Sequence, residues 1–156
     1  MGLLTDYFRA PSVTTVQEQL NQRDGGPVLV ADPSATLYDG VEAKWIDPSV
    51  VLGQLIAFIR AEPWHPGMVT ERLIWPETDD PAHQGPWTTI LDNHTRDTLA
   101  AVTPDRVPAL AAQWATIEEL KPGATPHYLA DLITELTALA TRAQQAGESL
   151  FCWMSL

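Results

Sequence analysis

Cysteine is almost absent: Cys152 is the only one in 156 residues. A lone thiol excludes an intrachain disulfide framework and suits a reducing compartment, so the sequence predicts a cytoplasmic protein. Cations are scarce too. Nine Lys and Arg stand against twenty Asp and Glu, a formal net charge of −11. Nucleic-acid binding draws on Lys and Arg to neutralise phosphates, so the shortage argues against a DNA or RNA partner. A basic protein is the macromolecule that such a charge attracts. Long hydrophobic runs are also lacking. The longest, Val50 to Ile59, is broken by Gly53 and Gln54 and falls well short of the roughly 20 residues that cross a bilayer. Met1 to Phe8 lacks the basic flank and apolar core of a signal peptide. Asp6 stands where N-myristoylation needs Ser or Thr. No membrane segment is expected.

Catalytic signatures are missing as well. The chain holds no G-x-S-x-G elbow, no P-loop, no dinucleotide fingerprint and no H-E-x-x-H. The four histidines, His65, His83, His94 and His127, are not spaced as metal ligands. Neither a cofactor nor a metal is expected. Cys152 lies between Phe151 and Trp153, an apolar setting that predicts a buried structural thiol rather than a reactive one.

What is present describes one globular domain over residues 1–156, with 45% hydrophobic and 19% charged residues. Leu3 to Phe8 opens as a strand or turn. Thr15 and Glu18 have capping-box spacing for a helix to about Asn21. Residues 28 to 40 read as loop around a brief strand, with Pro33, Ser34 and Asp39-Gly40, and Val41 to Ile46 as a strand. Asp47-Pro48 is the clearest helix start, an Asp cap followed by Pro at the first helical position. The helix to about Arg60 is apolar nearly all round and should be central. Val69 to Trp75 and Trp87 to Leu91 read as an antiparallel pair of strands around a loop from Pro76 to Pro86. A helix from Asn93 to Ala101 follows. Pro108 delays the next regular helix to Val107 or later, with Val107, Leu110, Trp114 and Ile117 on one face and Lys121-Pro122-Gly123 as its stop.

Thr125-Pro126 starts the last helix. Leu129, Leu132, Leu136 and Leu139 form its stripe, and Gly147 is its cap. The same stripe spacing also suits a dimer seam, but the core is the expected destination. Ser149 to Met154 is apolar on both faces, so it should lie inside a sheet. The fold class predicted is α+β: a small, mainly antiparallel sheet with the C-terminal strand internal, covered by three to four helices.

Candidate binding residues come from the aromatics and the few clustered polar groups. Of six tryptophans, Trp114 and Trp153 should be core, whereas Trp45, Trp64, Trp75 and Trp87 lie at strand ends and turns. Aromatics there wall pockets or protein interfaces as readily as they fill cores. Lys44, beside Trp45, either snorkels and pairs with an acid or serves a site. Asp92, His94 and Asp97 fall within six residues and offer carboxylate and imidazole groups, although capping by Asp92 or Asn93 explains the same residues. The loop Glu77-Thr78-Asp79-Asp80 should be solvated. The candidate set is therefore Trp45, Trp75, Trp87, Lys44, His94 and Asp92.

Three segments carry a resemblance: the opening Met1-Gly2-Leu3-Leu4-Thr5-Asp6-Tyr7-Phe8, the stretch Glu42-Ala43-Lys44-Trp45-Ile46-Asp47-Pro48, and the close Gly147-Glu148-Ser149-Leu150-Phe151-Cys152-Trp153. They resemble a group of uncharacterised proteins from high-GC bacteria. The layout is more distantly similar to the YfbM-like family of small bacterial proteins. In that family a Lys-x-Trp feature precedes a helix, where this chain has Lys44 and Trp45 adjacent. The resemblance implies an α+β fold and no settled activity, with an immunity role among the expectations. Two functions of different kinds follow: a binding protein for a basic protein partner, or a small-molecule binder or enzyme with an aromatic-lined pocket.

Overall fold

The computed structural model describes residues 2–29, 37–121 and 123–156. The loop expected around Pro33 and Ser34, and Pro122 in the expected stop, lie outside the described residues. Five antiparallel strands form one sheet: β1 (Leu4–Ala10), β2 (Gly40–Glu42), β3 (Glu71–Trp75), β4 (Trp87–Leu91) and β5 (Ser149–Ser155), in the order β2-β1-β5-β4-β3. β5 is central. Its side chains are buried on both faces, as an apolar run without alternation requires.

Period-two alternation along the strands sends two sets of side chains to opposite faces. Tyr7, Leu91, Leu150 and Cys152 point into the larger core. There they meet α2 (Gly53–Arg60), α3 (Asn93–Ala100), α4 (Val107–Trp114) and α5 (Pro126–Ala146). Phe8, Ala10, Ile74, Phe151 and Trp153 point to the other face, where α1 (Val13–Gln22) contributes Val16 and Leu20. The sheet is thus sandwiched, with four helices on one side and one on the other.

The helix ends follow local chemistry. Asp47 caps with its carboxylate, accepting from the Val50 and Val51 amides at 2.8 and 3.3 Å. The first five residues after it, Pro48–Leu52, wind as a π-helical turn before α2 proper. Thr125 caps α5, with Pro126 at its first position, and Gly147 ends it in a left-handed conformation (φ 68°). Asp92 caps α3.

Three expectations need correction. α1 is capped by Ser12, whose hydroxyl accepts from the Thr15 amide at 3.2 Å, so Thr15 is inside the helix and not its cap. The strand expected over Val41 to Ile46 ends at Glu42. Ala43 still bonds to Thr5, but the chain then turns at Trp45, whose φ is +67°, and the Ile46 amide closes onto the Ala43 carbonyl at 3.1 Å. α4 ends at Trp114, well before Lys121. Ile117 is buried beyond the helix end, and a 3₁₀ turn follows at Glu118–Leu120. Among the described residues there are five α-helices, and with the antiparallel sheet and its internal β5 they make the α+β fold expected.

The stripe of α5 is core. Leu129, Leu132, Leu136 and Leu139 are buried in the same cluster as Leu110, Trp114 and Ile117. Leu136→Ala therefore opens a cavity and should cost about 2–5 kcal/mol. Melting of the wild type over a hundredfold range of protein concentration should show no shift, which a seam between copies would produce.

Thr88 gives a second prediction. It is fully buried in β4, and its hydroxyl has no hydrogen-bond partner among the described residues. Thr88→Val keeps the shape, favours the strand and removes the unpaired group. Chemical denaturation should show a gain of about 1 kcal/mol.

Candidate functional site

The structure distributes the candidate residues over separate places. Asp92 is occupied by the fold. Its Oδ1 accepts from the Thr95 amide at 2.7 Å, and its Oδ2 accepts from the Thr70 amide and the Thr95 hydroxyl, both at 2.8 Å. His94 is exposed in the first turn of α3. Asp97 is held by Arg96 Nε at 2.9 Å and Gln144 Nε2 at 3.1 Å, and these bonds keep its pKa below the ordinary carboxylate value. The three therefore do not converge on a common point. Among the described residues no group of three or more His, Cys, Asp or Glu is placed to hold a metal ion.

Trp75 and Trp87 do come together, through a residue the sequence reading passed over. His83 lies between them with ring centroids 5.7 and 5.8 Å away, edge-on to each. Its Nε2 is 2.8 Å from the Pro86 carbonyl and donates to it in that tautomer. The Trp75 indole donates to Asn21 Oδ1 at 2.9 Å. A Cβ on Gly25 would sit 2.6 Å from the Trp75 ring, so only glycine lets that backbone approach. These contacts fasten the Pro76–Pro86 loop to the end of α1. Trp45 is elsewhere. It follows β2, at the opposite edge of the sheet from β3, so the three tryptophans do not wall one pocket. It is 54% exposed.

Lys44 leads to a site that the candidate set only touched. It lines a cavity of about 330 Å³ with Leu4, Asp6, Leu29, Glu42 and Trp153 among its walls. The cavity lies on the face covered by α1. The register places Thr88, Trp153, Asp6 and Glu42 in one row across four strands. The Ala43 amide donates to Thr5, and the Arg9 amide donates to Asp39. Asp6 and Glu42 are therefore a non-hydrogen-bonded cross-strand pair, the kind whose side chains lie closest. Glu42 is at the mouth, and Asp6 is only 8% exposed. Among the described residues no donor bonds its carboxylate. Burial, reinforced by the charge of Glu42, pushes Asp6 up to about 7.

The back of the cavity is held firmly. The Trp153 indole donates to the Gly25 carbonyl at 2.7 Å. Gly26, at φ +112°, passes so close to that ring that a Cβ would be 2.6 Å from its nitrogen. The signal for Asp6 was in the sequence. Alternation in Leu4-Thr5-Asp6-Tyr7-Phe8 puts its carboxylate on the same face as the wholly buried Phe8.

Comparison with protein-family models, with curated proteins and with solved structures finds no match to this chain.

The buried carboxyl of Asp6 has a consequence for stability. The folded chain holds this proton up to about pH 7, whereas an ordinary Asp releases it near 3.8. Between those values the folded state binds more protons than the unfolded one, so the contribution of Asp6 to stability falls as pH rises through that window. Asp6→Asn cannot ionise. Relative to wild type, its melting temperature should rise by several degrees on going from about pH 4 to about pH 8. A difference between the two proteins that stays constant with pH would refute the assignment.

Proposed function

We propose that this chain is a cytoplasmic binding protein for a basic protein partner, of the immunity type and from the bacterial group whose opening, Lys-Trp and closing segments it resembles. The observation that supports this most is how its cations are engaged. Arg9 pairs with Asp39 and Glu148, Arg142 with Asp39, Arg96 with Asp97 and Lys121 with Glu118. Arg23 and Arg106 donate to the Pro27 and Ile59 carbonyls, and Arg60 donates to the Thr98 hydroxyl. Internal contacts thus occupy most of the positive charge. Glu62, Asp79, Asp80, Asp105, Glu119 and Glu135 are exposed. A partner meets a field that is acidic.

An apolar rim accompanies the charge at one end of the sheet. Leu4 is 42% exposed, Trp45 54% and Leu156 73%. Leu4 pairs with Ser155, next to Leu156, and the Trp45 amide bonds to Leu3, which gathers the three at the start of β1. Trp45 is held in the left-handed region, a conformation costing on the order of 1 kcal/mol that burial of its own ring does not offset. An exposed tryptophan is the residue type enriched at interface anchors. The second reading, a small-molecule binder or enzyme, is favoured by the cavity beside Asp6.

Capture from the native host at low salt, followed by titration of the purified pair, tests the proposal. The expected partner is basic, and its affinity weakens with salt mainly through slower association. Trp45→Ala should weaken binding about tenfold or more. Recovery of no basic protein at low salt would overturn the reading.

A further inference from the structure

We propose that the cavity bounded by Asp6, Glu42 and Trp153 is a binding site for an alkylammonium or guanidinium group, its ligand being a lysine or arginine side chain of a protein partner. The choice of a protein as the source rests on the function proposed above; the cation chemistry rests on the cavity alone. Ionised carboxylates only accept hydrogen bonds. Two lie side by side here on adjacent strands, and the inner one is nine-tenths buried, lines the cavity and receives no donor among the described residues. The missing counterpart is a group that carries several N–H donors and positive charge.

The walls narrow the choice. Leu4, Leu29 and the Trp153 ring offer apolar surface for the hydrocarbon stem that carries such a head group. At about 330 Å³ the cavity is at the small end of ligand sites, which run from roughly 300 to 1,000 Å³, so it suits one side chain rather than a large cofactor. A hard divalent metal asks for about six oxygens. Two carboxylates with a lysine at the mouth are a poor match to that demand. An anion would meet Lys44 alone, against both acids.

Charge balance holds in both states. The titratable groups facing Asp6 in the cavity are Glu42 from β2 and Lys44 just beyond it. β5 presents Trp153 and the 27–29 segment presents Pro27 and Leu29, none of which titrates, while Cys152 is buried on the opposite face of the sheet. With the site empty and Asp6 protonated, Glu42 and Lys44 cancel. When a cation enters, Asp6 releases its proton to solvent and the added positive charge meets a new negative one. Binding is therefore coupled to release of one proton.

The full chain, labelled with ¹⁵N, is titrated with N-acetyl-lysine methylamide, N-acetyl-arginine methylamide and the neutral N-acetyl-norleucine methylamide. The reporter is the Trp153 indole N–H. At least one cationic probe should shift that signal saturably and the norleucine probe should not. Affinity should be about tenfold higher at pH 8 than at pH 6, the change in ionised fraction of a group titrating near 7. Calorimetry at pH 6 in two buffers of different ionisation heat should show nearly one proton released. Glu42→Gln should weaken binding several-fold and keep a smaller proton release, because burial alone still raises Asp6; Asp6→Asn should lose the release and the pH dependence.

No saturable shift with either cation, equal binding of norleucine, or affinity independent of pH overturns the site. The pH test on wild type decides even if Asp6→Asn does not fold. A basic protein captured equally by wild type and Glu42→Gln overturns the side-chain anchor and leaves the partner reading standing. Probe binding with no protein captured keeps the cation site but overturns a protein as its source.

Discussion

The rest of the molecule depends on β5 being wet on neither face. Phe151 and Cys152, adjacent in the chain, are both fully buried, on opposite sides of the sheet. A strand of this kind needs a partner along each edge and a cover on each face, since both its backbone and its side chains lose water. β1 and β4 supply the edges. The faces are covered unequally. Four helices close one side and α1 closes part of the other, with Val28, Leu29 and Tyr38 packed beside it. The cavity beside Asp6 lies on the thinly covered face. The site is thus a by-product of asymmetry: where the cover is sparse, a carboxylate is kept at the wall of a hollow.

Large aromatics do a second job, fastening irregular segments to this sheet by their polar tips. The Tyr7 hydroxyl donates to the Ile46 carbonyl, Trp114 to Val51 at 2.9 Å and Trp153 to Gly25 at 2.7 Å. Each bond satisfies a buried donor and a loop or helix-start carbonyl at once. At the exposed end of the scale, Trp64 reaches the Ser49 carbonyl at 3.3 Å. Trp45, like Trp87, has no comparable bond among the described residues. The edges of the sheet are managed separately. β2 is three residues long, and β3 carries a register shift between Leu73 and Trp75, both devices that discourage further strand pairing.

Much of this was legible wherever a local signal and a tertiary need agreed. Asp47-Pro48, Asp92, Thr125-Pro126 and Gly147 end their helices as their chemistry indicates, and Trp87 to Leu91 is β4 residue for residue. Thr15 misled because Ser12, three residues upstream, has the same capping chemistry, and only the backbone decides between them. Val41 to Ile46 looked like a strand because β-branched and aromatic residues favour one, but the chain turns left-handed at Trp45 and closes from Ile46 back onto Ala43. The site was the least legible part. Lys44 was singled out, yet its neighbours Asp6 and Trp153 arrive from β1 and β5, far apart in sequence. Trp75 and Trp87 meet through His83, whose place between them depends on how the loop folds back. Asp92 and His94 drew attention as polar neighbours in sequence, but Asp92 serves as a cap and His94 faces solvent.

The position of β5 also bears on how the chain is made. Ribosomes deliver β1 and β2 first, then β3 and β4, and β5 after all of them. Until it emerges, the two halves of the sheet have no common strand to join them, and β1 and β4 each present an unsatisfied row of amides and carbonyls beside exposed apolar side chains. The nascent protein is therefore two sticky strand pairs waiting for a shared centre. Its safe passage depends less on the strength of any one contact than on shielding those edges until the last strand slots between them.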